Sequence, residues 1–379
     1  MIKVGLERID EYLNLFRNKR VGLITNPTGV TKDLVSTIDI LNEKTNLVAL
    51  FSPEHGVRGD LQAGVKLGDY VDPYTGCFVY SLYGENRKPT KEMLDKLDVL
   101  CFDIQDVGAR FYTYIYTLAY SMMAAKENNK TFVVFDRPNP VGGIEVEGNI
   151  LDITFRSFVG YYPLVQRYGL TIGELALYYN SEFDIHCDLH VIPLEGWKRD
   201  MDYEALNRPW VYPSPNIPYA ISTYSYLTSC YFEGTNMSEG RGTAKPFSLI
   251  GAPWLDAEKV ISALKDRNIL GAQFRKVFFT PTFSKHQNIL CQGIEIFVTD
   301  KQKFKPVSTG MTLLYLIRDL HQEFAFLPPY HEGKNQMIDL LTGDNIVRTG
   351  RLSLDELLIK IEEDSMTFKQ KKVGYHLYE

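Results

Sequence analysis

Apolar residues in the first half of the chain come in short runs of four or five. The clearest are Val21 to Thr25, Leu47 to Phe51, Val99 to Phe102 and Phe132 to Phe135. Runs this short, without polar alternation, are typical of strands buried on both faces. Between them the apolar spacing becomes helical, as in residues 7–18 with Ile9, Tyr12, Leu13 and Phe16. The pattern predicts strands near 46–51, 77–81, 98–103 and 131–135 and helices near 34–43, 90–96, 111–127 and 172–179. Strands separated by helices predict an α/β fold with a mainly parallel sheet, closing after a further strand at 188–193, so that residues 1–198 form a first domain. The second half changes character. Pro209 to Pro218 reads as a proline- and aromatic-rich loop, and Ser222 to Phe232, rich in Tyr, Ser and Thr, reads as the lining of a cleft. Helices near 256–266, 309–320 and 353–364, with strands near 273–280 and 292–299, predict a smaller α+β domain over 199–379.

Three of the strand-like runs break straight into polar cassettes. Leu47 to Phe51 opens into Ser52-Pro53-Glu54-His55-Gly56-Val57-Arg58-Gly59. Val99 to Phe102 opens into Asp103-Ile104-Gln105-Asp106-Val107-Gly108-Ala109-Arg110, and Phe132 to Phe135 into Asp136-Arg137-Pro138-Asn139-Pro140. In a parallel sheet the carboxyl ends of these strands share one edge, where open α/β sheets bind ligands. Glu54, between a proline and a glycine and beside His55 and Arg58, is either an acid or base tuned by its neighbours or a surface carboxylate on a capped turn. Gln105, Asp106 and Arg110 precede an aromatic run in which Tyr112 or Tyr114 offers a face to a sugar ring. Arg110 could grip a carboxylate with both arms or cap the next helix by pairing with Asp106. Asp136 and Asn139 suit turn formation as well as substrate contact. In the second half, Glu233-Gly234-Thr235-Asn236-Met237-Ser238-Glu239-Gly240-Arg241-Gly242-Thr243 is the densest polar cluster. Its glycines predict a loop that packs its backbone against a ligand.

Several chemistries lack their signatures. There is no G-x-G-x-x-G, G-x-x-x-x-G-K-[ST], G-x-S-x-G or H-E-x-x-H, and the H-C-x-x-H patch at 186–190 has no second ligand cluster, so neither a metal nor an organic cofactor is expected. A net charge of -6 and a pI near 5.8 argue against nucleic acid or an anionic membrane as partner. The basic run Lys369-Gln370-Lys371-Lys372 is too short to change that. Five scattered cysteines without C-x-x-C spacing favour reduced thiols. The N-terminal residues lack an apolar export signal, so a cytoplasmic location is expected, although a chain trimmed of such a signal would read the same.

Ser52 to Gly56, Asp103 to Tyr114, Asp136 to Pro140, Pro213 to Pro218, Glu233 to Asn236 and Gly240 to Thr243 together resemble the exo-β-N-acetylmuramidase (NamZ-type) family over nearly the whole chain. That resemblance implies a Rossmann-like first domain, an auxiliary domain completing the cleft, and a bacterial glycosidase of cell-wall recycling. Its substrate would be a muropeptide or disaccharide from whose non-reducing end N-acetylmuramic acid is released. It makes Glu54 the leading catalytic carboxylate and general acid, with Glu233 favoured as its partner and Asp106 and Glu239 behind it. The two carboxyls should stand about 5 Å apart for retention or roughly 6.5 to 9.5 Å for inversion. His55, Arg58, Gln105, Arg110, Tyr112, Asn139, Asn216 and Arg241 complete the expected substrate contacts, with Arg110 or Arg241 on the lactyl carboxylate. A sugar-binding protein without catalysis, or an amide or ester hydrolase of unfamiliar type, are the alternatives.

Overall fold

The structure is a computed structural model that describes residues 2–53, 56–58, 68–84 and 86–379. Seven strands, β1 (Arg20–Thr25), β2 (Asn46–Ser52), β3 (Tyr70–Val71), β4 (Phe78–Ser81), β5 (Val99–Asp103), β6 (Thr131–Phe135) and β7 (Asp188–Ile192), form one sheet in the order β3-β4-β2-β1-β5-β6-β7. Every neighbouring pair is parallel except β3 with β4. The continuous apolar runs follow from cover on both faces. In β5, Leu100 and Phe102 join the core under α2 (Lys91–Leu94), α3 (Tyr114–Glu127) and α4 (Ile172–Glu182). Val99 and Cys101 point the other way, into the core beneath α1 (Thr37–Lys44) and the N-terminal segment. That segment is not the α-helix its spacing predicted but a run of 3₁₀ turns over Gly5–Leu15, kinked at Tyr12. Leu6, Ile9, Tyr12 and Leu15 stand three apart and all pack on this second core, the repeat a 3₁₀ winding superimposes.

The second part holds α5 (Ser222–Ser229), β8 (Leu249–Ala252), α6 (Ala257–Lys265), β9 (Ala272–Phe279), β10 (Cys291–Val298) and α7 (Pro306–Leu320), followed by α8 (Met337–Thr342), α9 (Ile346–Thr349) and α10 (Leu354–Lys372). Its sheet is antiparallel, in the order β8-β10-β9. Helix α5 is a departure from the sequence reading, since its Ser-Thr-Tyr composition looks like loop and yet every residue in it is buried. The Thr228 and Ser229 hydroxyls donate back to the Tyr224 and Ser225 carbonyls at 2.9 and 3.0 Å, so their burial leaves no unmet polar group. Gly310 lets α7 cross close to it: a β-carbon there would lie 2.0 Å from the Thr228 carbonyl oxygen. Helix α10 then returns to the first part, where Phe368 enters the core and the Lys372 ammonium donates to the Gly143 and Gly169 carbonyls at 2.6 and 2.8 Å. No helix among the described residues is long and apolar enough to cross a membrane.

Candidate active site

Parallel pairing carries the ends of β4, β2, β5 and β6 to one edge, and strand order reverses between β1 and β5, where such sheets bind ligands. Here that point is filled by the protein itself. The Asp103 carboxylate accepts from the Arg137 Nη2 at 2.8 Å, from Arg137 Nε and from the Thr37 hydroxyl, while the Thr25 hydroxyl donates to the Asp103 carbonyl at 2.8 Å. Gln105 spends its amide on the carbonyls of Asp106 and Pro138, both at 2.9 Å. Asn139 donates to the Leu170 carbonyl at 3.0 Å and accepts from the Val141 amide at 3.1 Å. Asp136 accepts from the Gly173 amide at 2.7 Å, from the Thr171 hydroxyl at 2.9 Å and from the Tyr378 hydroxyl, and burial pushes its carboxyl up to about 7. One Asp106 oxygen accepts from the Gly108 amide at 2.7 Å and from the Tyr168 hydroxyl; the other is buried without a partner, and burial lifts this carboxyl to about 6.

Arg110 shows the same turn inward. Its guanidinium donates to the carbonyls of Asn149, Leu164, Leu341 and Thr342 at 2.8 to 2.9 Å and is fully buried. A planar cation enclosed by four carbonyls has no fork left for a substrate carboxylate. Arg58 is likewise engaged, bidentate to Asp72 at 2.7 and 2.9 Å, and that contact draws Asp72 down to about 2. Arg58, Gln105, Arg110 and Asn139, expected as substrate contacts, instead direct these polar groups to partners within the chain, with only the Arg110 Nε left buried and unpartnered. Asp106 also faces inward. Glu54 and His55 lie outside the described residues.

The open cleft, with a volume of about 920 Å³, lies beyond this buried layer. The first part lines it with Tyr83, Arg87, Phe111 to Tyr114 and Phe158, and later segments add Ser214, Asn216, Tyr226, Glu233, Arg241 and Tyr330. An aromatic lattice joins the two sides: Tyr226 meets Phe111 and Tyr112 edge-on, with ring centres 5.1 and 5.6 Å apart. The Tyr114 hydroxyl donates to the Pro213 carbonyl at 2.6 Å and so fixes the loop that presents Ser214 and Asn216. Of the expected residues, Tyr112, Asn216, Glu233 and Arg241 therefore come together in one cleft. Tyr83, Arg87, Phe158 and Tyr330 were not anticipated, since single residues in loops carry no periodic signal.

Glu233 sits on a 3₁₀ turn, Cys230–Gly234, that continues α5. One carboxylate oxygen accepts from Arg241 Nη2 at 2.6 Å, while Arg241 Nε stands 3.2 Å from Glu239. Lys285 lies 2.9 Å from the other Glu239 oxygen and donates to the Phe232 and Thr235 carbonyls at 2.5 and 3.0 Å. Burial raises the Glu233 carboxyl above the usual range, with Arg241 opposing the rise and Glu239 adding to it. Burial works against the charge on Arg241, but Glu233 and Glu239 outweigh it and hold that guanidinium firmly charged. The net direction is upward: desolvation makes this carboxyl more basic than usual, and the Arg241 guanidinium limits the rise. The glycines of this loop serve packing rather than ligand approach: a β-carbon on Gly242 would lie 2.7 Å from the Phe283 backbone, and one on Gly240 2.8 Å from the Leu249 carbonyl.

A family model of the N-terminal part of the exo-beta-N-acetylmuramidase NamZ matches residues 21–220, and one of its C-terminal part matches residues 224–378. The chain belongs to the NamZ exo-β-N-acetylmuramidase family. It is 47% identical over 384 residues to the peptidoglycan beta-N-acetylmuramidase NamZ of Bacillus subtilis (strain 168), covering 100% of this chain and 91% of that protein. The crystal structure of a DUF1343 family protein from Bacteroides fragilis superposes with a TM-score of 0.91 at 39% identity, covering 100% of this chain and 99% of that one. A second DUF1343 structure from the same organism gives 0.79 at 32% identity with the same coverage. In this NamZ-family chain both parts line the cleft, Tyr83 to Asn216 from the N-terminal one and Tyr226 to Leu341 from the C-terminal one.

Proposed function

We propose that the cleft hydrolyses the terminal β-glycosidic bond of peptidoglycan fragments and releases N-acetylmuramic acid from their non-reducing ends, with Glu54 and Glu233 as the paired carboxyls. In this reading residues 1–198 supply one wall and residues 199–379 the other. The observation that carries it is Glu233: an acid open to a cleft of aromatic residues, paired with Arg241 and made more basic by burial. Glycoside hydrolysis asks for one carboxyl that protonates the leaving oxygen and a second that acts as base or nucleophile. Glu233, more basic than an ordinary carboxylate and oriented by Arg241, suits the second role. Glu54 is the candidate for the first: in the sequence it follows Pro53, just after β2, and β2 ends at the sheet edge whose loops after β4 and β5 line the cleft. Tyr83, Tyr112 and Tyr226 give the cleft an aromatic lining, the kind of surface that holds a pyranose. Five unpaired, buried cysteines suit a reducing compartment, where imported muropeptide fragments would be the substrate. Release of the chromophore from a chromogenic N-acetylmuramide, and its loss in Glu233→Gln, tests the reading. A Glu233→Gln protein with normal turnover would overturn the assignment of that residue.

A further inference from the structure

We infer that Arg87 reads the lactyl carboxylate of the bound sugar and so sets the preference for N-acetylmuramic acid over N-acetylglucosamine; this rests on the substrate class proposed above. The two sugars differ by that one anionic group, so a cation in the cleft with an unused donor edge is what discrimination requires. Among the described residues the cleft is lined by two cations, Arg87 and Arg241. Arg241 is held by Glu233 and Glu239, and Lys285 completes a cluster of two acids and two bases whose formal charges balance. Arg110, fully buried among four carbonyls, cannot serve. Arg87 is the cation left over. It is exposed and forms no ion pair among the described residues, and its guanidinium centre lies 4.2 Å from the centre of the Phe158 ring. Phe158 is itself stacked on Tyr120, with centres 6.2 Å apart and planes within 4°.

A cation over a ring face is attracted by the ring itself and needs no oxygen acceptor, so the contact with Phe158 leaves donors of Arg87 for a ligand. The ring contact restrains where the Arg87 guanidinium sits without using an oxygen acceptor, and the fork of a guanidinium matches the two oxygens of a carboxylate. Its charge also matters for the cleft as a whole. With Arg241 engaged by two acids, Arg87 supplies the one positive charge among the described lining residues that is outside an ion pair and can balance the one negative charge of the sugar.

The test measures binding of free N-acetylmuramic acid and of N-acetylglucosamine, by calorimetry or ligand-observed NMR, to the wild type, Arg87→Ala and Arg87→Lys, with thermal unfolding as a check on folding. The wild type should prefer the muramic acid. Arg87→Ala should bind it about ten- to hundredfold more weakly and leave N-acetylglucosamine unchanged, the usual scale for a lost charge-assisted contact. Arg87→Lys should recover part of the loss, because it restores charge without the fork. In turnover of the chromogenic muramide, KM should move more than kcat. An Arg87→Ala protein that keeps the preference overturns the inference, as does a wild type that shows none. A wild type that binds with the stated preference yet releases no sugar would remove the glycosidase reading and leave Arg87 in place.

Discussion

Asp103 with Arg137 and Glu233 with Arg241 are the same chemical pair in two settings. The first is 0% and 3% exposed at its side chains, the second 25% and 27%. Taking both charges wholly out of water costs several kcal/mol per ion, so a sealed pair survives only if every remaining polar atom is met. Around Asp103 it is: Thr37 and both arms of Arg137 fill the carboxylate, and Arg137 donates further to the Val30 carbonyl at 3.0 Å. The pair is a clamp that ties β5, the loop after β6 and the start of α1 together at the sheet edge. Glu233 and Arg241 keep one side open to the cleft, so charge there can meet a ligand. What separates scaffold from chemistry is access to the cleft, not the type of residue or the density of the motif.

Removing one partner from the sealed pair should have the largest effect. Asp103→Ala leaves a buried guanidinium without its counter-charge, and denaturant unfolding should show a loss of about 3 to 5 kcal/mol. A loss below about 1 kcal/mol would erase the distinction drawn between the two pairs. For the open pair the expected damage is to rate. Glu233→Gln and Glu54→Gln should each lower turnover of a chromogenic muramide by about a hundredfold or more, roughly 3 kcal/mol in the barrier, with unfolding temperatures close to the wild type.

Arg110→Lys comes next. An ammonium has three donors and no fork, so at least one of the four carbonyls loses its partner, and a destabilisation of about 1 to 3 kcal/mol should follow. The ratio of activity on muramide and glucosaminide substrates should stay as it is. A changed ratio with unchanged stability would return Arg110 to the substrate.

The last expected effect is the most gradual, a pH dependence. Burial raises the Asp136 carboxyl from 3.8 to about 7, so the folded state favours its protonated form. Stability from this group is fully present below about pH 4 and is lost as pH rises through about 7, with a slope no steeper than about 1.4 kcal/mol per pH unit. Asp136→Asn should remove that slope, so the stability of the wild type relative to the variant should fall across the window. Parallel curves for the two proteins would mean that Asp136 enters the fold already ionised.

Much of the first part of the fold was legible because its signal is periodic. Strands β1, β2, β4, β5, β6 and β7 stand within about a residue of their apolar runs, and the alternation with helices gave parallel pairing. Elements whose composition opposes their state were not legible. Helix α5 reads as loop, and β8 is four residues long with a glycine that a neighbouring strand requires: a β-carbon on Gly251 would lie 2.6 Å from the Gln292 carbonyl oxygen. The glycines after Glu233 were given to a ligand and belong to packing, because a glycine marks a close approach without saying what approaches.

The sequence by itself determined the α/β class, the shared edge of the strand ends and the family to which the motifs belong. All of these depend on local runs and on residues adjacent in the chain. Only the tertiary structure decided which polar residues are sealed and which are open. Arg110 is enclosed by carbonyls from residues as far away as Thr342, and Arg87 stands in the cleft on a ring contributed by Phe158. The two arginines look alike in sequence. What each can do is set by the free donors it has left, and that depends on contacts between segments far apart in the chain.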